Sequence, residues 1–401
     1  MSVNKQITII SCAVFFLLAT VFSLWWGLYA RFYKSTEDAY VHGNMVWITP
    51  KINGFVKSIY FDDTNYVEAG DLLVELNSDD QNLEFEKAKS NLAQRVREVT
   101  KLFETVFLHL AEYEKAECRV VDLENKYVNR RAIIESGAIS EEEFTTSETN
   151  YYEAVATLNS AKYQLMRSFS EVKNTSILNH PIVEKAKSDL KEAFLNLKRC
   201  KIISPVSGVI AERKIQVGQS VRNGNFMLSV IPRQEMWVEA NFKEVDLESI
   251  RIGQVAEMNA DVYGRRVTFK GEVVGLGMGS GAVFSPIPPQ NATGNWIKIV
   301  QRIPVRISLE ERELNRNPLR LGLSMKVSID VRNQDGLMVS DKSVKNQIYK
   351  TEVFDSELDG VDKLVQEIIS QNLTFDIASL EKITSIDTAS FFEKRKTKSF
   401  N

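Results

Sequence analysis

Several things are scarce in this 401-residue chain: cysteine, histidine, proline and any excess of positive charge. Three cysteines, at positions 12, 118 and 200, cannot form a complete disulfide framework. His42, His109 and His180 stand far apart without ligand-like spacing, so neither a metal centre nor a resident cofactor is expected. A formal net charge of -3, with no basic cluster before the last residues, argues against a general nucleic-acid binder, which must neutralise phosphates. No nucleophile–base constellation stands out. "GLGMGSG" (Gly275 to Gly281) superficially suggests a phosphate loop, but it runs into "FSPIPP" instead of a helix and reads as a loop between strands. The expectation is a protein that is not an enzyme.

Long apolar runs are equally scarce, with a single exception. From Ile7 to Tyr29 there is no charged residue, about 23 residues or roughly 34 Å of helix, enough to cross a bilayer. That run exceeds the apolar core of a signal peptide and lacks a small-residue cleavage site, so it reads as an uncleaved anchor. Trp25, Trp26 and Tyr29 crowd its distal end, as amphipathic rings do at the membrane–water interface. Lys5 on one side and Arg31 with Lys34 on the other leave the orientation open.

What the chain has in abundance is heptad periodicity. Leu92, Val96, Val99, Phe103, Val106, Leu110 and Tyr113 follow steps of four and three, a coiled-coil seam. It thins to Val120, Tyr127 and Ile134 before "ESGAIS" (Glu135 to Ser140) breaks it. Gly137 can end a helix in the left-handed conformation, and Ser140 with Glu143 fits a capping box opening the next. Phe144, Tyr151, Val155, Leu158, Leu165, Phe169 and Val172 then carry the rhythm back. Counting through Ser176 and Asn179 reaches Val183, so Pro181 is expected to kink or briefly open the return arm without ending the seam. Two arms of about 55 residues would project roughly 80 Å. Cys118 and Cys200 would lie far apart along such a hairpin, and no disulfide between them is expected.

The hairpin is bracketed by an echo. "ITPKINGFV" (Ile48 to Val56) returns as "ISPVSGVI" (Ile203 to Ile210), and "YVEAGDLLVEL" (Tyr66 to Leu76) as "QVGQSVRNGNFMLSV" (Gln216 to Val230). Between Met45 and Leu76, and again between Ile202 and Ile231, short β-prone runs are punctuated by Gly, Pro and Asn. Further on, "MWVEANFK", "RIPVRISL" and "MKVSIDV" alternate apolar and polar residues, as half-buried antiparallel strands do, and suggest a small barrel or sandwich.

The two echoing segments resemble the quasi-symmetric halves of a biotinyl/lipoyl domain. No Lys occupies the turn where such a carrier holds its prosthetic group: "NSDDQ" (Asn77 to Gln81) leads straight into the helix. The order of parts resembles that of periplasmic adaptors, or membrane fusion proteins, of the HlyD family. "TEDAYVHGN" (Thr36 to Asn44) resembles the EmrA-like subgroup's entry into the first half-domain, while "MWVEANFKEVDLESIRIGQ" and "QNATGNWIKIVQRIPVRI" resemble its barrel.

The fold class expected is therefore α+β multidomain: an N-terminal transmembrane helix, a split lipoyl-like β-sandwich with an inserted coiled-coil α-hairpin, then a small antiparallel β-barrel. The boundaries are 1–34 for the cytoplasmic N-terminus and anchor, 45–78 and 202–232 for the half-domains, 79–201 for the hairpin, 233–333 for the barrel and 334–401 for a partly helical tail.

The resemblance implies an adaptor of a tripartite multidrug efflux pump, fixed by Ile7, Trp25, Trp26 and Tyr29 in the lipid of the inner membrane of a Gram-negative bacterium. The bulk of the chain would lie in the periplasm. Its partners would be an inner-membrane transporter of the major facilitator type and a TolC-like outer-membrane channel, with a homo-oligomer of three or six copies. It further implies that the hairpin tip docks on the channel, through Arg131 at the end of one helix and Ser140 at the start of the next, with Gly137 and Ile139 between. The Leu that follows the Arg in related adaptors is Ala132 here. Two other readings stay open: the adaptor of an ABC-type protein secretion system, and a membrane-tethered coiled-coil scaffold. In the tail, "LDGVDKLVQEIISQNL" puts Val361, Leu364, Val365, Ile368 and Leu373 on one helical face, for packing on the barrel or for docking a partner.

Overall fold

The computed structural model describes residues 3–28, 30–281, 283, 300–341 and 349–373. It divides into two units, Met1–Glu75 with Ile202–Phe354, and Leu76–Lys201 with Asp355–Asn401. Residues 76–201 of the second unit are therefore inserted into the first.

In the first unit, α1 (Val3–Leu28) is followed by a 3-10 turn at Ala30–Phe32 and by strand β1 (Tyr33–Gly43). Four short strands come next: β2 (Val46–Ile48), β3 (Gly54–Ile59), β4 (Tyr66–Val67) and β5 (Leu72–Leu76). After the insertion the same pattern returns as β6 (Lys201–Ile203), β7 (Gly208–Ala211), β8 (Ser220–Val221) and β9 (Leu228–Ile231). They form two four-stranded sheets, ordered β2-β9-β7-β4 and β6-β5-β3-β8. Exchanging each strand for its echo turns one order into the other, so the repeat in the sequence is the two-fold symmetry of one interrupted domain. Ile48 and Ile203 lie in opposite sheets. Each sheet joins the halves, as in the registers Ile48↔Leu228 and Gly54↔Val221. Gly208, from "ISPVSGVI", is required by this pairing: a Cβ there would sit 2.4 Å from the Ile231 carbonyl oxygen.

The barrel comprises β10 (Met236–Lys243), β11 (Val255–Ala260), β12 (Phe269–Leu276), β13 (Arg302–Ser308) and β14 (Ser324–Asp330), with helix α5 (Glu311–Arg316) between the last two. These five strands do not close by themselves. β1 completes the ring β1-β10-β13-β12-β11-β14, and "TEDAYVHGN" is thus mostly a barrel strand instead of an entry into the sandwich. Closure leaves no open edge. Ala39 and Val41 point inward with Val238, Phe242, Phe269 and Ile307, all at most 1% exposed, while Tyr40 and His42 face outward. "GLGMGSG" begins as the end of β12, and the Gly277 N–H donates to the Pro304 carbonyl at 2.8 Å, continuing the sheet. "FSPIPP" and the basic last residues lie outside the described residues.

The second unit is the hairpin with the tail helix packed on it. Helix α2 (Asp79–Ile133) runs out; α3 (Glu141–Val172) and α4 (Pro181–Lys198) run back. Leu92, Val96, Val99, Phe103, Val106, Leu165, Val183 and Leu190 are all at most 1% exposed. Each fully buried Leu or Val contributes about 1.5–3 kcal/mol. Farther out the seam is completed by small residues, Ala116, Ser147, Ala154 and Ala161, which let the helices approach closely. The return arm opens at residues 173–180, and Pro181 is the first residue of α4 instead of a kink within one helix. His180 caps α4, its Nδ1 accepting from the Ile182 N–H at 3.3 Å. Ile177, not Ser176 or Asn179, fills the seam across the opening.

Helix α6 (Val361–Asn372) lies against α2 and α4, not on the barrel. Val365, Ile368 and Ile369 join the hairpin core. Polar contacts flank them: Lys191 with Asp362 at 2.7 Å and Arg97 with the Asn372 side chain at 2.9 Å. The amphipathic face expected in the tail thus has its partner within the same unit.

Candidate functional site

The distal turn of the hairpin is the candidate site. α2 ends in a single 3-10 turn at Ile134–Ser136, and Gly137 follows with φ 72°, the left-handed conformation that glycine adopts without strain. The Gly137 N–H donates to the Ile134 carbonyl at 3.1 Å, and the Ser136 hydroxyl to the Ile133 carbonyl at 2.6 Å. The expected capping box is present. Ser140 Oγ accepts from the Glu143 N–H at 3.1 Å, and the Glu143 carboxylate accepts from the Ser140 N–H at 3.2 Å. The hydroxyl oxygen of Ser140 is occupied by the cap, and its O–H remains a donor that can turn outward.

Charge follows the helix dipoles. Arg130 and Arg131 occupy the last turn of α2, and Glu141, Glu142 and Glu143 the first turn of α3, each placed where the local dipole favours it. Arg131, Gly137 and Ser140 are exposed and Ile139 half-buried. The fold therefore brings all four expected docking residues to one turn. Among the described residues no ion pair holds Arg131.

One level below the turn, three aromatic rings tie the arms together. Tyr127 of α2 stacks between Phe144 and Tyr151 of α3, with centroids at 5.8 and 5.4 Å and interplanar angles of 28° and 2°. Burial, the Glu124 carboxylate and the neighbouring tyrosines raise the Tyr151 phenol above its ordinary pKa. All three residues are legible in the sequence as seam positions. Their role as a clamp under the tip is not, because it depends on which rings meet across the arms.

The expected anchor residues fall on α1 with one exception. Ile7 lies within the helix, Trp25 and Trp26 are more than half exposed, and Tyr29 lies outside the described residues. None of the window Ser11–Leu28 is buried, so among the described residues nothing covers this apolar surface.

A polar cluster in the barrel was not expected. The Thr36 hydroxyl donates to the Asn241 carbonyl at 2.9 Å, Asn241 Nδ2 donates to Asp38 at 3.2 Å, and Arg302 pairs with Asp38 at 3.3 Å. The three strings quoted for the resemblance, from β1, β10 and β13, meet here. Four residues farther along the same strands, His42 stacks on Trp237 and the Arg306 guanidinium lies 3.8 Å from the Trp237 ring centroid. The three histidines occupy three different elements. Among the described residues no group of three or more His, Cys, Asp or Glu is placed to hold a metal ion.

An apolar N-terminal helix, a sandwich split by a helical hairpin, and a closed barrel together constitute the membrane fusion protein fold. Residues 79–200 match the family model of the EmrA α-helical hairpin domain. The multidrug export protein EmrA of Haemophilus influenzae is 38% identical over 350 residues, covering 87% of this chain and 90% of its own. The probable multidrug resistance protein EmrK of Escherichia coli is 38% identical over 372 residues, covering 92% and 96%. The fatty acid resistance protein FarA of Neisseria gonorrhoeae is also 38% identical, over 84% of this chain and 85% of its own. A solved structure of the periplasmic adaptor protein EmrA aligns with 75% of this chain and 99% of its own at 20% identity, with a TM-score of 0.37. On the sequence identities, the chain belongs to the EmrA family of membrane fusion proteins.

Proposed function

We propose that this protein is the periplasmic adaptor of a tripartite multidrug efflux pump. It is held in the inner membrane of a Gram-negative cell by α1, couples to a transporter of the major facilitator type, and presents its hairpin tip to a TolC-like outer-membrane channel. It works by connection, without chemistry of its own. The observation that carries this reading is the tip. A pre-ordered turn, clamped by three rings, offers an outward guanidinium at Arg131 and a capped serine at Ser140, about 80 Å of helix away from the hairpin base.

A ring of three or six copies fits the outer surface of the hairpin. Besides the buried seam, α2 carries a second stripe at heptad spacing, with Phe107, Cys118, Val121 and Val128 exposed. α3 carries its own, with Tyr152, Ala156, Tyr163 and Met166 exposed at corresponding heights. Such stripes suit neighbouring hairpins standing side by side.

The names of the relatives, multidrug export and fatty acid resistance, support efflux of small apolar or amphiphilic compounds over protein secretion. Deleting residues 130–144 and joining the arms through a short glycine linker tests the reading. Export should stop while the protein still inserts and folds. Undiminished export would show that the tip does not connect to the channel.

A further inference from the structure

The barrel has two unlike ends. The end where α1 enters is built from the start of β1, the ends of β10, β12 and β14, and the starts of β11 and β13, as the antiparallel registers require. Its loops expose large aliphatic side chains: Met278 is 81% exposed, Val245 and Val283 67% each, and Val300, Leu337 and Met338 are exposed as well. The opposite end, among the described residues, exposes Met45 and Val262. Exposed aliphatic groups gathered at one end of a barrel call for a partner.

We propose that this end is an interfacial membrane-binding surface, which sets its aliphatic side chains into the headgroup layer of the bilayer that holds α1. The inference rests on the reading of α1 as a transmembrane anchor. Chain length commits the surface to lipid. α1 ends at Leu28 and β1 begins at Tyr33, so four residues separate membrane helix from barrel. Fully extended they span at most about 17 Å, and the 3-10 turn at Ala30–Phe32 shortens them further. With Trp25 and Trp26 at the interface, the barrel end that follows is tethered within about 17 Å of the end of the membrane helix, within reach of the headgroups.

The rim's charges favour apolar contact over electrostatic attraction. Lys34 pairs with Asp246 at 3.0 Å, Arg302 with Asp38 at 3.3 Å, and Arg332 Nε donates to Asp330 at 2.9 Å. Arg31, which lies over the Phe32 ring, and the exposed Lys243 are offset at the same end by the exposed Glu248 and Asp335, so adhesion depends mainly on inserted aliphatic area and should not require anionic lipid.

The test uses the full chain, with Cys12, Cys118 and Cys200 replaced by Ser, inserted into phosphatidylcholine vesicles. Single cysteines introduced as Val245→Cys, Met278→Cys, Val262→Cys and Phe16→Cys carry an environment-sensitive fluorophore, and nitroxide-labelled lipids quench it. Labels at 245 and 278 should be quenched by shallow nitroxides several-fold more than the label at 262, to the same extent with or without anionic lipid. Equal quenching at 278 and 262, with position 16 quenched by deep nitroxides, overturns the inference and leaves the anchor standing. No quenching at position 16 instead removes the anchor reading, and the inference with it. Quenching at 278 that needs anionic lipid, or that appears only after an inner-membrane transporter is co-reconstituted, also overturns it, assigning the surface to charge or to protein.

Discussion

Replacing Tyr127 by Ala should loosen the distal third of the hairpin and leave its base intact. The ring makes two stacked contacts across the arms, with Phe144 and Tyr151. Aromatic pairs contribute about 0.5–1.5 kcal/mol each beyond area. Losing part of the burial of a half-exposed ring adds about 1 kcal/mol at ~25 cal/mol per Å². Together these give a local loss of about 2–4 kcal/mol, or roughly 30- to 700-fold in an opening equilibrium at 1.4 kcal/mol per tenfold. Hydrogen exchange followed by mass spectrometry reads this directly. Peptides within 115–155 should exchange faster by that factor, while peptides over 92–106, where five seam residues are at most 1% exposed, should not change. Tyr127→Phe keeps both stacks and should exchange like the parent. Unchanged exchange near the tip in Tyr127→Ala, or an equal acceleration along the whole hairpin, would refute the idea that the rings form a local clamp.

Three other outcomes follow from particular contacts. Gly208→Ala places a Cβ 2.4 Å from the Ile231 carbonyl oxygen and should destabilise the sandwich by about 1–3 kcal/mol, measured as a lowered denaturation midpoint. The Arg213 side chain, which donates to Asp62 at 2.7 Å from the other half of the sandwich, holds that carboxyl below its ordinary pKa, aided by the Asp63 N–H. A depressed folded-state pKa contributes stability that is fully present above the unfolded value and is lost as pH falls through the folded one. The pair should therefore add a constant increment from about pH 8 to 5 and lose it below about pH 4; a midpoint-against-pH curve in Asp62→Asn should lack that acid component. Ile369→Asp sets a carboxylate among Val365, Ile368 and the α2 seam, and should release α6, seen as rapid proteolysis within 355–372 with the hairpin helices still protected.

The sequence disclosed most where a pattern was local and repeated. Leu92 to Val106 and Leu165 announce themselves because large apolar residues every three or four positions leave one solution, a packed helical seam. Ala116, Ser147, Ala154 and Ala161 in the same seam do not, since small or hydroxylated residues carry no hydrophobic signal although they are buried. The split sandwich was readable because its two halves echo each other. β1 was harder. Its alternation is clear in hindsight, but its partners Ala240 and Val327 lie about 200 and 290 residues away, and a single strand does not name its sheet. The face of α6 was visible and its destination was not, for an amphipathic stripe specifies that it will be covered, not by what. At the tip, the glycine and the capping box followed from local chemistry, whereas the clamp of Tyr127, Phe144 and Tyr151 needed the register between the arms.

The central claim is that the turn at 137–140 meets the outer-membrane channel. A photo-reactive amino acid at Ile139, irradiated in intact cells containing the channel and the transporter, tests it most directly. The account predicts a cross-link to the channel from Ile139 and none from Lys89, a partly exposed position near the hairpin base. Cross-links from Ile139 only to other copies of this chain, or channel cross-links from Lys89 alone, would contradict it.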